Sequence, residues 1–158
     1  MKIYPKYKDS GIEWIGKVPE HWAVLSLRYL FNIKAGGDLK EEFYSSEKSD
    51  INCYPIYTNS IKSEEIYGYS SKPFFKANTI TVTGRGEVGY AVYRDHEYDA
   101  IIRLLVLTPK KNIQCKYYAY SVNSILKFFG GNTAVSQLSA EQISPYKVLC
   151  PPLSEQEG

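Results

Sequence analysis

The sequence of 158 residues lacks the features that mark several large classes of protein. Its three cysteines, Cys53, Cys115 and Cys150, are an odd number without short spacing, which argues against a disulfide framework and against a zinc site. The longest apolar stretch, residues 100–107, is interrupted by Arg103 and is too short to span a bilayer. The first residues contain no apolar signal-peptide core, so we expect a cytoplasmic protein.

The sequence also lacks an excess of charge of one sign. Its 19 Lys and Arg residues against 17 Asp and Glu residues give a net charge of +2. This balance neither predicts nor excludes a nucleic-acid partner, because the positions of the charges matter more than their sum. The hydrophobic fraction of 44% and the charged fraction of 23% are typical of a globular domain and exclude a disordered chain. Without a visible repeat or linker, residues 1–158 are predicted to form a single domain.

The sequence is rich in aromatic residues, above all in tyrosine, with 15 Tyr beside six Phe and two Trp. A tyrosine ring can be buried while its hydroxyl group stays hydrogen-bonded, so tyrosine suits both a half-polar core and a contact surface. We expect most of these tyrosines to belong to the scaffold.

The apolar pattern predicts an α+β fold, with a strand-rich central sheet and a few peripheral helices. Residues 1–23 and 38–52 are predicted to be irregular, and helical spacing predicts helices over residues 24–31 and 118–129. A capping box from Ser139 to Gln142 predicts one more short helix, which Pro145 ends. Strands are predicted over residues 54–57, 79–83, 88–93, 100–107 and 146–150.

A second capping box lies at the end of the chain, from Ser154 to Glu157, with Leu153 as the staple residue. It predicts that residues 154–158 begin a helix that the chain does not continue. Either a natural terminus frays here or, as we prefer, the helix has been truncated, at an engineered domain boundary or in a gene product that lost its helix.

Two motifs match known chemistry only in part. Residues 84–89, Gly-Arg-Gly-Glu-Val-Gly, follow a predicted strand, but a dinucleotide-binding fingerprint requires a helix next. Residues 90–93 favour a strand instead, so we interpret the motif as a glycine-rich connection. The tetrapeptide that begins at Cys150, Cys-Pro-Pro-Leu, lacks the residue that would bond a target amino group in an amino-methyltransferase.

The sequence contains weak candidates for catalysis. Asp38 and Lys40, with Glu20 upstream, could belong to a small Mg²⁺-dependent DNA-processing enzyme, but they lie in loop-like sequence. His21 and His96 are expected to lack carboxylate or cysteine partners, which argues against a metal-binding or general-base role. We therefore predict no catalytic residue, no metal site and no cofactor.

Three polar clusters at the ends of predicted elements have side chains suited to contacting DNA. Arginine can bond guanine with two hydrogen bonds, asparagine and glutamine can bond adenine, and serine or threonine can bond bases or phosphates. Arg85 stands out because its flanking glycines are expected to place it on an exposed tip. The candidate DNA-binding residues are Thr58, Asn59, Ser60 and Lys62; Arg85 and Glu87; and Asn132, Thr133, Ser136 and Gln137.

Four segments resemble the specificity subunit of type I restriction-modification enzymes, in the order in which that family has them. They are residues 4–22, beginning Tyr-Pro-Lys-Tyr-Lys-Asp-Ser-Gly, with Leu-Arg-Tyr-Leu at 27–30; residues 84–89; residues 137–143, Gln-Leu-Ser-Ala-Glu-Gln-Ile; and residues 151–157, Pro-Pro-Leu-Ser-Glu-Gln-Glu. The opening and the Pro-Pro-Leu-Ser-Glu-Gln segment are the specific ones.

The resemblance implies a non-catalytic target-recognition domain that reads one half of a bipartite site in double-stranded DNA. It implies as well that a long spacer helix follows the domain, so residues 154–158 would be the start of that truncated helix. It also implies two protein partners, an adenine-specific methyltransferase subunit and a translocase-nuclease restriction subunit. Because the DNA-contacting loops of that family vary with the target, the resemblance assigns no contact residue. A half-size specificity subunit that acts as a dimer, and the small Mg²⁺-dependent enzyme, are the alternatives.

Overall fold

The strands predicted in the middle of the chain form the centre of the computed structural model, which describes residues 6–9, 17–62, 64–130 and 137–152. The strands are β1 (Tyr7–Asp9), β2 (Lys17–Pro19), β3 (Ala23–Ser26), β4 (Phe31–Ala35), β5 (Tyr44–Ser45), β6 (Tyr54–Tyr57), β7 (Gly68–Ser70), β8 (Thr79–Val82), β9 (Ala91–Arg94), β10 (Asp99–Ala100), β11 (Leu105–Pro109) and β12 (Lys147–Cys150). The helices are α1 (Leu27–Leu30), α2 (Cys115–Gly130) and α3 (Ala140–Ile143), with a 3₁₀ turn at Glu41–Phe43. The predicted α+β class is confirmed.

The main sheet has four antiparallel strands in the order β4-β11-β8-β9. Its register pairs Leu105 with both Ala35 and Val82, and Val82 with Ala91. The connections that follow β4 and β8 and that precede β11 therefore lie at one end of the sheet, which we name the loop end.

Strand β11 is buried on both of its faces. Leu105 and Leu107 belong to the main core, whereas Val106 and the preceding Leu104 belong to a second cluster with Tyr57 and Tyr98. Because successive side chains of a strand point to opposite faces, one apolar strand can serve both cores. The second sheet, in the order β10-β6-β7-β5, contributes to the second cluster through Tyr57 and Ala100.

Helix α2 covers the main core, as its spacing predicts. Tyr118, Val122, Ile125 and Leu126 are all buried in the main core, and the helix contacts β8, β9 and β12. The capping box of α3 is confirmed, since Ser139 accepts a hydrogen bond from the Gln142 amide and Gln142 bonds back to the Ser139 amide. No helix in the described part of the chain is long and apolar enough to cross a membrane.

The prediction of a helix over residues 24–31 is wrong except for one turn. Leu27 and Leu30 are buried from α1, but β3 pairs with β12 and β4 pairs with β11 on either side of that turn. The helical spacing is thus real for four residues, and strand pairing determines the flanking backbone.

Three further predictions differ from the structure in detail. The N-terminal segment predicted to be irregular contains β1 and β2, which pair antiparallel, and the predicted loop 38–52 contains β5. The strand predicted over residues 100–107 is broken by a turn at residues 101–104, because Ile102 and Arg103 adopt positive φ angles. Residues 154–158, where a helix is predicted to begin, lie outside the described residues.

Candidate nucleic-acid interface

Asn59, in the first predicted cluster, connects loops at the loop end. Its side-chain oxygen accepts a hydrogen bond from the Gly84 amide at 2.8 Å, and its side-chain nitrogen donates to the Ile102 carbonyl. Both ends of the amide group thus contact backbone atoms of other loops. The structure gives Asn59 a positioning role, and direct contact with DNA stays a prediction.

The rest of the first cluster forms a local turn. The Ser60 hydroxyl donates to Glu65 at 2.7 Å and accepts from the Lys62 amide at 3.0 Å, while the Thr58 carbonyl accepts from the Ser60 amide. The Lys62 side chain is exposed, whereas Thr58 and Ser60 are half-buried. Lys62 is therefore the most accessible candidate of this cluster.

The second cluster lies on a tightly bonded loop, residues 83–90, which joins β8 to β9. The buried Thr83 hydroxyl donates to the Glu87 carbonyl at 2.7 Å and accepts from the Tyr90 amide at 2.9 Å. Gly86 and Glu87 are exposed at its tip, with Gly86 at a φ of +70°. The motif is followed by a strand, as predicted, and not by the helix of a dinucleotide site.

Arg85 is half-buried, which corrects the expectation of a fully exposed tip. Its guanidinium group donates to the Gly84 carbonyl at 3.2 Å, and its backbone forms an isolated antiparallel bridge with Gln137. Flanking glycines leave a residue free to be exposed, but here the bridge holds Arg85 against the segment that precedes α3.

Of the third cluster, the structure places only Gln137, whose side chain is exposed. The bridge to Arg85 and a hydrogen bond of 2.9 Å from the Leu138 amide to the Gly84 carbonyl bring it beside the second cluster. The predicted residues Asn132, Thr133 and Ser136 lie outside the described residues.

The loop end encloses a concave surface with a volume of about 550 Å³. Two arginines and one glutamate supply its charged groups, so the concavity has an excess of positive charge. Its other polar groups belong to α3 and to the segment that leads into it. The lining residues that carry polar side chains are Arg85, Arg103, Gln137, Ser139, Glu141 and Gln142.

Sequence reasoning missed Ile102 and Arg103. They form the two central residues of the turn at 101–104, with φ angles of 53° and 64°, and both side chains are exposed. Because they lie inside a run that reads as one buried strand, the only available signal was the charge of Arg103 among apolar neighbours.

The expectation that His96 lacks a carboxylate partner is wrong. His96 lies 2.8 Å from an Asp95 oxygen and 2.6 Å from the Tyr57 hydroxyl. The Arg94 guanidinium lies 3.6 Å above the centroid of the Tyr57 ring, and its Nε donates to Thr81. Burial raises the pKa of Tyr57 and lowers the pKa of Arg94, while their mutual attraction opposes both shifts.

Lys40, one of the three residues of the Mg²⁺-dependent alternative, makes other contacts. The Lys40 ammonium group lies 3.3 Å from the Asp99 carboxylate and 4.1 Å above the centroid of the Phe74 ring. Among the described residues, no three His, Cys, Asp or Glu side chains are grouped so that they could hold a metal ion. Lys40 thus stabilises the second sheet.

A comparison with protein families identifies the chain. Residues 19–158 match the model of the type I restriction modification DNA specificity domain. The chain belongs to this family. The predicted resemblance to type I specificity subunits is therefore confirmed.

Two curated relatives of this specificity domain, both from Mycoplasma pneumoniae, carry the names of type I specificity subunits. S.MpnORF507P is 30% identical over 158 residues, which cover 99% of this chain and 43% of that protein. S.MpnORF89P is 31% identical over 125 residues, which cover 79% of this chain and 37% of that protein. The chain thus spans less than half the length of these relatives.

Solved structures show the same fold. The S subunit of a type I restriction-modification system from M. genitalium matches with a TM-score of 0.73 at 19% identity, over 87% of this chain and 37% of that chain. The HsdS subunit from Thermoanaerobacter tengcongensis matches with a TM-score of 0.69 at 16% identity, over 96% of this chain and 37% of that chain.

Proposed function

We propose that this specificity domain reads the base sequence of one half of a bipartite DNA site through its loop end. Membership of the type I specificity family supports the role in DNA recognition. The bridge between Arg85 and Gln137 is the observation that supports the loop end as the DNA-reading surface. It brings two predicted clusters together beside a positively charged concavity.

The chemistry of the loop end suits base recognition. Arginine can form two hydrogen bonds with a guanine edge, and glutamine can form two with an adenine edge. Lysine and hydroxyl side chains beside them can hold the phosphate backbone and so position the reading groups. Arg85 and Gln137 are thus the proposed base-reading side chains, and Lys62 is a proposed phosphate contact.

The domain supplies recognition and not catalysis in this proposal. Adenine methylation and DNA cleavage would come from an adenine-specific methyltransferase subunit and a translocase-nuclease subunit that assemble with it. The contacts of Lys40 with Asp99 and Phe74 support this assignment, since they give the residue a structural role. A cytoplasmic location fits these partners.

A binding selection from a pool of duplexes with a randomised central segment tests the proposal. The chain should enrich one short sequence, and Arg85→Ala should weaken binding to it while leaving the fold intact. If Arg85 contacts a guanine, the substitution should weaken the binding free energy by about 1–3 kcal/mol, and only at one base position. If Arg85 contacts a phosphate, the substitution should weaken binding to all sequences alike. It should also reduce the slope of log K against log salt concentration by about one unit.

Lys116→Ala is the matched control, because Lys116 is exposed at the start of α2, away from the loop end. It removes the same charge and should leave sequence preference unchanged. Failure of the chain to enrich any sequence would overturn the proposed function. Nicking or cleavage of the duplex by the pure chain with Mg²⁺ would favour the enzyme alternative.

A further inference from the structure

We propose that the turn at residues 101–104 is a rigid base-reading tip, which enters a DNA groove with Ile102 against apolar base atoms and Arg103 against a guanine edge. The inference rests on the proposed function and adds residues that no sequence motif indicates. It follows from the backbone conformation, the anchoring and the exposure of the turn.

The backbone of the turn is strained. The Leu104 amide donates to the Ile101 carbonyl at 3.2 Å, and both central residues have positive φ, as in a type I′ turn. Such turns favour asparagine, aspartate or glycine, and a β-branched residue at positive φ is a genuine outlier. A sequence selected for the turn alone would not place isoleucine there, so Ile102 requires another explanation.

Backbone atoms of distant segments hold the turn in place. The Ile102 amide donates to the Gly37 carbonyl at 2.8 Å, and the Arg103 amide donates to the Gly36 carbonyl at 2.9 Å. The Ile101 amide donates to the Tyr57 carbonyl at 3.0 Å. With Asn59 bonded to the Ile102 carbonyl, the turn is fixed from several sides, which is what a preorganised contact requires.

The side chains of the turn divide into an anchor and a tip. Ile101 and Leu104 are buried at 0% and 1% exposure, whereas Ile102 is 51% exposed. Arg103 is exposed and lines the same concavity as Arg85. An apolar side chain beside a guanidinium group, on a fixed support, can contact a thymine methyl group and a neighbouring guanine in one groove.

The duplex selection separates a reading role from a structural one when it is repeated with Ile102→Asn and Arg103→Lys. Asparagine tolerates positive φ, so Ile102→Asn should raise the Tm while binding to the enriched sequence falls by about fivefold or more. Arg103→Lys keeps the charge but loses the two-pronged donor, so it should relax preference at one base pair. Ile102→Val keeps a β-branched apolar side chain and should retain the preference.

A measurement on the unaltered chain makes the test independent of the variants. The backbone amides of Ile102 and Arg103 should shift in the ¹⁵N spectrum when the enriched duplex is added, whereas the amide of Lys116 should not. If these amides do not shift, or if Ile102→Asn and Arg103→Lys both keep the original sequence preference, the inference is overturned while the proposed function stands. If the unaltered chain enriches no sequence, both fall together.

Discussion

At the scale of single residues, the amide group of Asn59 connects loops that are distant in sequence. It bonds the Gly84 amide and the Ile102 carbonyl, and neither of these groups lies in a helix or strand. A buried backbone group that loses its partner costs free energy, so we expect this side chain to matter for stability as well as for the shape of the interface.

Asn59→Ala should therefore lower the free energy of unfolding by about 1–3 kcal/mol, because the amide of the buried Gly84 loses its partner. Urea unfolding followed by circular dichroism measures the loss. Asn112→Ala is the control, since Asn112 is exposed in the bend before α2, and it should change stability by less than about 0.5 kcal/mol. Equal effects of the two substitutions would contradict the bridging role.

Gly84→Ala should also destabilise the chain. A methyl group at this position would lie 2.6 Å from the Arg103 carbonyl oxygen and 2.8 Å from the Leu138 carbonyl oxygen, so the backbones must move apart. We expect a loss of about 1–3 kcal/mol, measured by thermal unfolding. Gly37→Ala meets no atom within 4 Å and should be nearly neutral, so a comparable loss there would argue against a steric cause.

At the scale of elements, the sequence predicted those whose signals are local. Helix α2 has apolar residues at helical spacing over its length, and the capping box of α3 contains both of its own hydrogen-bonding partners. By contrast, β3 and β4 depend on pairing with β12 and β11, which follow more than a hundred and about seventy residues later in the chain. No local pattern reports such pairing, so residues 24–31 were predicted as a helix.

The candidate site was predictable to the same extent. Arg85 and Gln137 were selected from their chemistry, and the structure brings them together through a bridge that the sequence could not indicate. Ile102 and Arg103 were missed because a left-handed turn inside an apolar run has no sequence signature when it lacks glycine and asparagine. Long-range hydrogen bonds, and not local propensity, determine that conformation.

We expect the stability of the chain to fall at alkaline pH because Cys115, at the start of helix α2, is buried. Burial raises the pKa of this thiol to about 12, so the folded chain keeps a proton that the unfolded chain loses above about pH 8.5. The unfolded state then binds fewer protons, and the free energy of unfolding should fall as pH rises, by up to about 1.4 kcal/mol per pH unit. Cys115→Ala should show a shallower fall in urea unfolding between pH 8 and 10, and parallel curves would contradict this.

At the scale of the whole molecule, the net charge limits what the chain can do alone. With a charge of +2 it can neutralise few phosphates, and it is proposed to read only half of a bipartite site. We therefore expect a Kd on the order of 1 µM or weaker for a duplex at physiological salt, measured by fluorescence anisotropy. Tight binding that does not respond to salt would contradict this expectation.

The two cores share β11, and this arrangement separates the scaffold from the surface that is proposed to read DNA. Leu105 and Leu107 are buried on one face and Val106 on the other, so apolar packing holds the strand on both of its faces. A shift of the second sheet that moves β11 would therefore also move the side chains that β11 contributes to the main core. The loop end is thus connected to a strand that is packed on both faces.

The bonds that hold the loop end have a consequence for how new target sequences can arise. The Gly36 and Gly37 carbonyls, the Gly84 amide and the Ile102 carbonyl are all backbone groups, which every residue except proline supplies in full. Side chains at 85, 102 and 103 can therefore change without removing an anchor. Such a surface can acquire a different specificity by single substitutions while the same loop framework persists, which makes it a suitable starting point for laboratory evolution.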